Sequence, residues 1–514
     1  MGTADGRPVR AGRGRRLDHQ RPDHRPGRQP GLRAGLPAGR RTPRHPGALR
    51  RDVLPHRLGA DVGDRPARRR LDEPVPRPSR APAGHAARRR RGRPAGGGRL
   101  RRPARPTARH VAVRARSRRH RRVHRGGTCG EEHPLTVQVG LIWDAVGSVA
   151  AGRGLLEAAR GAGLDTFLVT DHLIDVFPRQ AWDTDFSHLA ADMPTPDRCL
   201  DFATVLGNLA PLAGPVRLAV GVTDPHRRHP AVLAQTALTL AQLTERAPVL
   251  GLGAGALENL VPYGVPHDDR VGRVEEALRV LRTFFSGEGP HDFRGRHFTL
   301  DRAVMGLPAP EGRTPLIWLG ANQERMLTLA GRHADGWLPS DLMTPDEYAR
   351  RLAVVRTAAE QAGRDPGAVL PAAGLPVVVA ETDDAARDLL RAAPIRFLAL
   401  HAGARAWRRH GAQHPFGEDY KGLTELLPHL LTRAEVARAL AAVPDEVIAA
   451  QVLAGSRETV LKRIGELIDA GLRHPVLIPA SALASPQAAR FTVESVGWLS
   501  ARLRSGSDVE EVAA

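Results

Sequence analysis

The stretch DTFLVTDHL, Asp165 to Leu173, decides how this chain is read. An apolar run of strand length, TFLVT at 166–170, leads straight into an acid, Asp171, and an imidazole, His172. A strand covered on both faces shows an unbroken apolar run, so polar groups directly after it stand where a buried sheet surfaces. Seven further runs of the same kind follow the pattern: VQVGLIW (137–143), VRLAVGV (216–222), VLGLG (249–253), PLIWLG (315–320), DGWLP (335–339), LPVVVA (375–380) and PVLIPA (475–480). Between them, segments such as GLLEAARGAG, AVLAQTALTLAQLT, RVEEALRVLRTFFSG and TVLKRIGELIDAG carry apolar residues at three- and four-residue spacing, the signature of amphipathic helices. Several close on Gly, a frequent helix stop. Eight strand-then-helix units predict an α/β chain with a (β/α)8 TIM barrel over residues 137–505. A doubly wound open sheet shares this local periodicity and stays open as an alternative at this point.

Two stretches read as insertions into the barrel: PRQAWDTDFSHLAADMPTP after the second strand, and HAGARAWRRHGAQHPFGEDYKGLTELLPHL before the last. Loops after strand C-termini sit on the catalytic face of such a barrel, so the first is expected to help wall a site.

The first quarter of the chain has another character. Residues 1–133 hold 38 Arg, 10 acidic residues, no Lys and no Phe, Tyr or Trp, a net of +28 within a chain whose total is +21. The rest therefore carries −7. Without aromatics, residues 1–136 cannot bury enough apolar surface to offset their ordering entropy. This Arg/Pro/Gly-rich segment is expected to be disordered, or to be translation of GC-rich DNA upstream of a true start at Val137. Arg runs such as HAARRRRGRP would bind nucleic acid in a salt-dependent way. The lack of Lys and of stacking aromatics argues against that partner. Residues 506–514 read as a disordered tail.

Cys129 and Cys199 are the only cysteines, too few for a disulfide framework. No signal-peptide core and no long apolar run occurs, so the expectation is a cytoplasmic chain that does not span a membrane. No metal-ligand pattern stands out.

The strand ends carry the candidate chemistry. After Asp171 and His172 come TDPHRRHP behind the third strand, GAGALEN behind the fourth and GANQER behind the fifth. A Gly-rich turn lets backbone approach a flat ring, and a helix start offers free N–H groups to a phosphate. Each signal alone is weak. Taken in order, VTDHL, GVTDPHRRHPAVLAQ, LGLGAGALEN, PYGV, RVEEALRVLRTFFSG and IWLGANQERMLTLAGRHADGWLP resemble the luciferase-like monooxygenase superfamily, TIM barrels that use FMN or the deazaflavin F420. The phrases VTDPHRRHPAV, VPYGV, WRRHGAQHPFGEDYKG and GLRHPVLIPAS are most similar to its F420-dependent phthiodiolone ketoreductase group.

This resemblance implies roles for individual positions. Asp171 is placed to hydrogen-bond the deazaflavin, and His172 near its reactive carbon as the catalytic proton manager. Val220 and Gly221 match a site where relatives hold a non-prolyl cis peptide behind the ring. Gly253 and Asn259 match cofactor contacts, and Asn322 and Gln323 match a pair that supplies N–H groups to the cofactor phosphate. Many F420 enzymes have Glu directly after the Gly-x-Gly; here stands Ala256. Glu258, two residues on, is expected to face about 200° away if a helix has begun, which leaves His172 or water as the proton source, or a reaction that differs from that of the relatives. The function implied is hydride transfer between F420 and a carbonyl or alcohol substrate, small or lipid-like, with an FMN monooxygenase as the alternative and a homodimer among the expected partners.

Overall fold

The structure, a computed structural model, describes residues 137–505. The expectations for residues 1–136 and 506–514 lie outside the described residues.

Eight parallel strands form a closed ring: β1 (Gly140–Trp143), β2 (Thr166–Val169), β3 (Arg217–Thr223), β4 (Val249–Leu252), β5 (Leu316–Leu319), β6 (Gly336–Trp337), β7 (Leu370–Val379) and β8 (His474–Ile478). Each pairs with the next, and β8 returns to β1 with Gly140 opposite Val476. Closure excludes the open sheet. A helix follows every strand: α1 (Val149–Gly161), α2 (Phe202–Ala213), α3 (Pro230–Leu243), α4 (Arg270–Ser286), α5 (Glu324–His333), α6 (Pro345–Gln361), α7 (Arg457–Asp469) and α8 (Pro486–Ser505). Ser148, Asp201, Thr344 and Ser456 cap four of them by accepting a first-turn N–H, the role that short oxygen-bearing side chains serve at helix starts.

The barrel interior is filled by Leu168, Ala219, Val249, Trp318, Leu338, Ala372 and Val476. Trp318 takes so much of this space that Gly336 can carry no side chain: a Cβ there would lie 2.5 Å from the indole. β7 starts five residues earlier than its apolar run predicts, because LPAAG (370–374) has small residues whose strand character comes from burial rather than propensity. A second, larger core lies between the strands and the helices.

The two insertions share an apolar core of their own, built on Phe177, Trp182, Phe186, Phe397 and Trp407. Phe177 sits 6.0 to 6.2 Å from the rings of Trp182, Phe186 and Phe397 in tilted and edge-on pairs, each contributing about 0.5–1.5 kcal/mol beyond area burial. The second insertion is larger than the sequence suggests and includes a short strand, Leu453–Gly455, beside β7. A hairpin, His291–Arg294 with Thr299–Ala303, is a further addition before β5.

Candidate active site

The C-terminal ends of the strands open into a cavity that also runs along α1, α7 and α8, about 1860 Å³ in all. Asp171, His172, Gly221, Gly253, Asn259, Asn322 and Gln323 all line it. Val220 does not; it is buried in the outer core, and the cis peptide joins Gly221 to Val222, one residue later than the resemblance placed it.

The β2 end is held by charge. Asp171 Oδ2 accepts from Thr223 Oγ1 at 2.6 Å, Arg227 Nη2 at 2.9 Å and Arg228 Nη1 at 2.5 Å. These bonds tie β2 to the loop after β3. Arg227 also donates through Nε to Asp224 at 2.6 Å, and Arg228 through Nη2 to Asp201 at 2.6 Å. Charge-assisted bonds of this kind are short and directional, so the carboxylate next to His172 is rigidly placed.

His172 is three-quarters buried, and its Nδ1 faces two partners. Asn259 Nδ2 donates to it at 3.0 Å, while Glu258 Oε1 lies 3.6 Å away. Asn259 is itself pinned, because its Oδ1 accepts from Leu173 N at 2.6 Å. With Asn259 as donor the imidazole is neutral and keeps its proton on Nε2. A second proton at Nδ1 finds the Glu258 carboxylate. Burial pulls the imidazole pKa down, but the Glu258 hydrogen bond and the charges of Glu258, Asp175 and Asp144 outweigh it, leaving the pKa above the ordinary histidine value. Burial, helped by the charge of Asp144, pushes Asp175 up to about 7. Burial likewise raises Asp144 against the opposing charge of His172. His401, from the second insertion, also lines the cavity, and burial pushes it down to about 4.

Glu258 corrects the sequence reading. Its side chain is 1% exposed and stands at the cavity beside His172. The rotation argument failed because Ala256 is extended (φ −113°, ψ 145°) and precedes the single helical turn Leu257–Leu260, so residues 256 and 258 do not share a helix whose angle could be counted. No local signal in the sequence marks Glu258; its burial beside His172 shows only in the fold. Asn259 spends its amide on Leu173, His172 and Glu258.

On the β5 side, Asn322 Nδ2 donates to Ser340 and Asp341 at 3.1 Å each, and Gln323 precedes α5 with its side chain uncommitted to the cap. The backbone around Gly253 and Gly255 lies bare to the cavity; a side chain on Gly253 would crowd Val222 at 2.8 Å. Glu258 Oε2 and Asn322 Oδ1 are buried without partners. A flat heterocycle with hydrogen-bond donors on its edge fits this set of bare backbone and unpartnered acceptor atoms.

The family model described as luciferase-like monooxygenase matches residues 130–474. The chain belongs to that family. As a luciferase-like protein it is an oxidoreductase, and its relatives agree in kind. It is 38% identical over 347 residues to the phthiodiolone/phenolphthiodiolone dimycocerosates ketoreductase of Mycobacterium tuberculosis, covering 67% of this chain and 91% of that one. It is 31% identical to the F420-dependent glucose-6-phosphate dehydrogenase of Nakamurella multipartita over 41% of this chain and 58% of the relative. Among solved structures, the coenzyme F420 dependent tetrahydromethanopterin reductase from Methanopyrus kandleri shares the fold with a TM-score of 0.57 at 20% identity, over 70% of this chain and 97% of that one. Among the described residues no helix is long and apolar enough to cross a membrane, and no cluster could hold a metal ion.

Proposed function

We propose that this luciferase-like protein reduces the carbonyl of a long apolar ketone with a hydride from reduced F420, His172 giving the proton to the oxygen. The observation that carries the reading is the His172–Glu258 pair, a protonatable imidazole backed by a buried carboxylate at the wall of a large cavity. Reduced F420, when bound, supplies two electrons and one proton as hydride. Asp171, Gly221, Gly253 and Asn259 would lie along the ring, and Asn322 and Gln323 beside the phosphate.

The residues of the chain then have three tasks. The strand-end backbone and the Asp171 ion pairs hold reacting groups in place, which makes the encounter effectively unimolecular. His172, its pKa held above the ordinary histidine value by Glu258, can act as general acid without a carboxyl at position 256. Glu258 stabilises the protonated imidazole, and Asn259 receives the neutral one.

The substrate class follows from the cavity. At the strand ends it extends past the residues assigned to the cofactor and reaches the two insertions, leaving room beside a cofactor. Val176, Phe177, Leu189, Met193, Leu398 and Ala402, from the two insertions, give that room apolar walls. The mycobacterial ketoreductase, named for a lipid ketone, supports the same class. Fluorescence titration of the purified chain with F420 and with FMN tests the proposal. Tighter binding of F420 is expected; retention of FMN with no response to F420 would replace the reading with a flavin-dependent one.

A further inference from the structure

Arg227 lines the cavity with a side chain only 7% exposed. Its Nε donates to Asp224 Oδ2 at 2.6 Å, and its Nη2 to the backbone oxygen and Oδ2 of Asp171 at 2.8 and 2.9 Å. Two carboxylates thus fix the plane of the guanidinium. Nη1 is buried as well and has no partner. An unmade donor in a buried charged group is costly, and Nη1 is left as the one guanidinium nitrogen without a partner on a residue that lines the cavity. The β4 loop lies against the same segment: a Cβ on Gly255 would be 3.2 Å from His226 and 3.7 Å from Asp224. The next residue is Ala256, whose methyl offers Nη1 no acceptor. The cluster of Arg227, Arg228, Asp171, Asp224 and Asp201 carries no net positive charge, so what it presents to a ligand is a single directed, charge-assisted donor.

We propose that Arg227 Nη1 docks the electron-rich pyrimidine edge of a reduced ring cofactor and so binds the reduced carrier more tightly than the oxidised one. Reduction adds electron density to that ring, and a fixed cationic donor interacts more strongly with the form that carries more negative charge. The inference rests on the reading above only in requiring a flavin or deazaflavin ring in this cavity. It explains how a site without a carboxyl at position 256 favours the hydride-bearing form of its cofactor.

The test is equilibrium binding under anaerobic conditions of oxidised and reduced F420, and of oxidised and reduced FMN, to the full chain. The wild type should bind the reduced form of its ring about tenfold tighter or more, each tenfold being about 30 mV of midpoint potential for a two-electron couple. Arg227→Gln should bring the ratio of dissociation constants close to one. Arg227→Lys, which keeps the charge but not the three-way clamp, should keep part of the preference. Arg228→Gln, which loosens Asp171 without touching Nη1, should weaken both forms alike. A wild-type ratio at or below one overturns the proposal even where Arg227→Gln does not fold. An unchanged ratio in folded Arg227→Gln overturns it too. Binding of FMN alone would defeat the deazaflavin reading while the FMN ratio still judges Arg227; binding of neither ring defeats both.

Discussion

Glu258→Gln is the most direct probe of the proton path. The amide keeps the shape of the side chain and can still accept the Asn259 Nδ2 hydrogen bond of 3.1 Å, so the change is one of charge. At the observed 3.6 Å from His172 Nδ1, Coulomb's law with an effective dielectric of about 20 gives roughly 4–5 kcal/mol for the charged pair. A quarter of the imidazole meets solvent, and Asp175 and Asp144 still favour its protonated form. The expected loss is therefore about 1–2 pK units, at about 1.4 kcal/mol each. A proton donor must be protonated, so removing the carboxylate moves the alkaline limb of the rate profile to lower pH by that amount. Single-turnover oxidation of bound F420H₂ by ketone, followed by absorbance across pH, reads the limb directly. At pH 8 the variant should be about 10- to 100-fold slower, and near the acid end of the profile it should approach wild type. NMR titration of the His172 ring supplies the same number without turnover. A limb that stays in place, or a uniform loss at every pH, would refute the pairing of Glu258 with the catalytic imidazole.

Three further outcomes are expected. His172→Ala should keep cofactor affinity and slow single turnover by about 10²- to 10⁴-fold, the usual contribution of general acid catalysis; an unchanged rate would remove it from the chemistry. Asn322→Asp with Gln323→Glu should weaken cofactor binding, most at low salt where like-charge repulsion is least screened; a dissociation constant insensitive to both charge and salt would place the phosphate elsewhere. Asp175, pushed up to about 7 by burial and by Asp144, keeps its proton in the folded chain and loses it in the unfolded chain between pH 4 and 7. Unfolding releases a proton there, so this residue makes stability fall as pH rises through that window and stay lowered above it. Asp175→Asn should consequently raise stability at pH 8 by about 1–3 kcal/mol and leave it unchanged near pH 4, as read from thermal midpoints.

Much of this protein was legible in its residue order. The eight apolar runs mark the eight barrel strands, because a strand covered on both faces must be apolar throughout, and the residues after TFLVT, VLGLG and PLIWLG stand at one rim because parallel strands in a closed ring end together. The motif string carried the family for the same reason: its parts follow strand ends in fixed order. What the sequence could not carry was any relation between segments distant along the chain. Glu258 meets His172 across 86 positions, and Arg227 meets Asp171 across 56; neither pair has a local signature. The helix angle that misdirected Glu258 depended on where one short turn begins, and Ala256 is extended where the β4 loop lies against the loop after β3. Which polar atoms were left without partners, and so point to a ligand, was likewise settled by packing. Local order writes the elements and their ends; burial and charge pairing are sums over neighbours that only the closed barrel brings within reach.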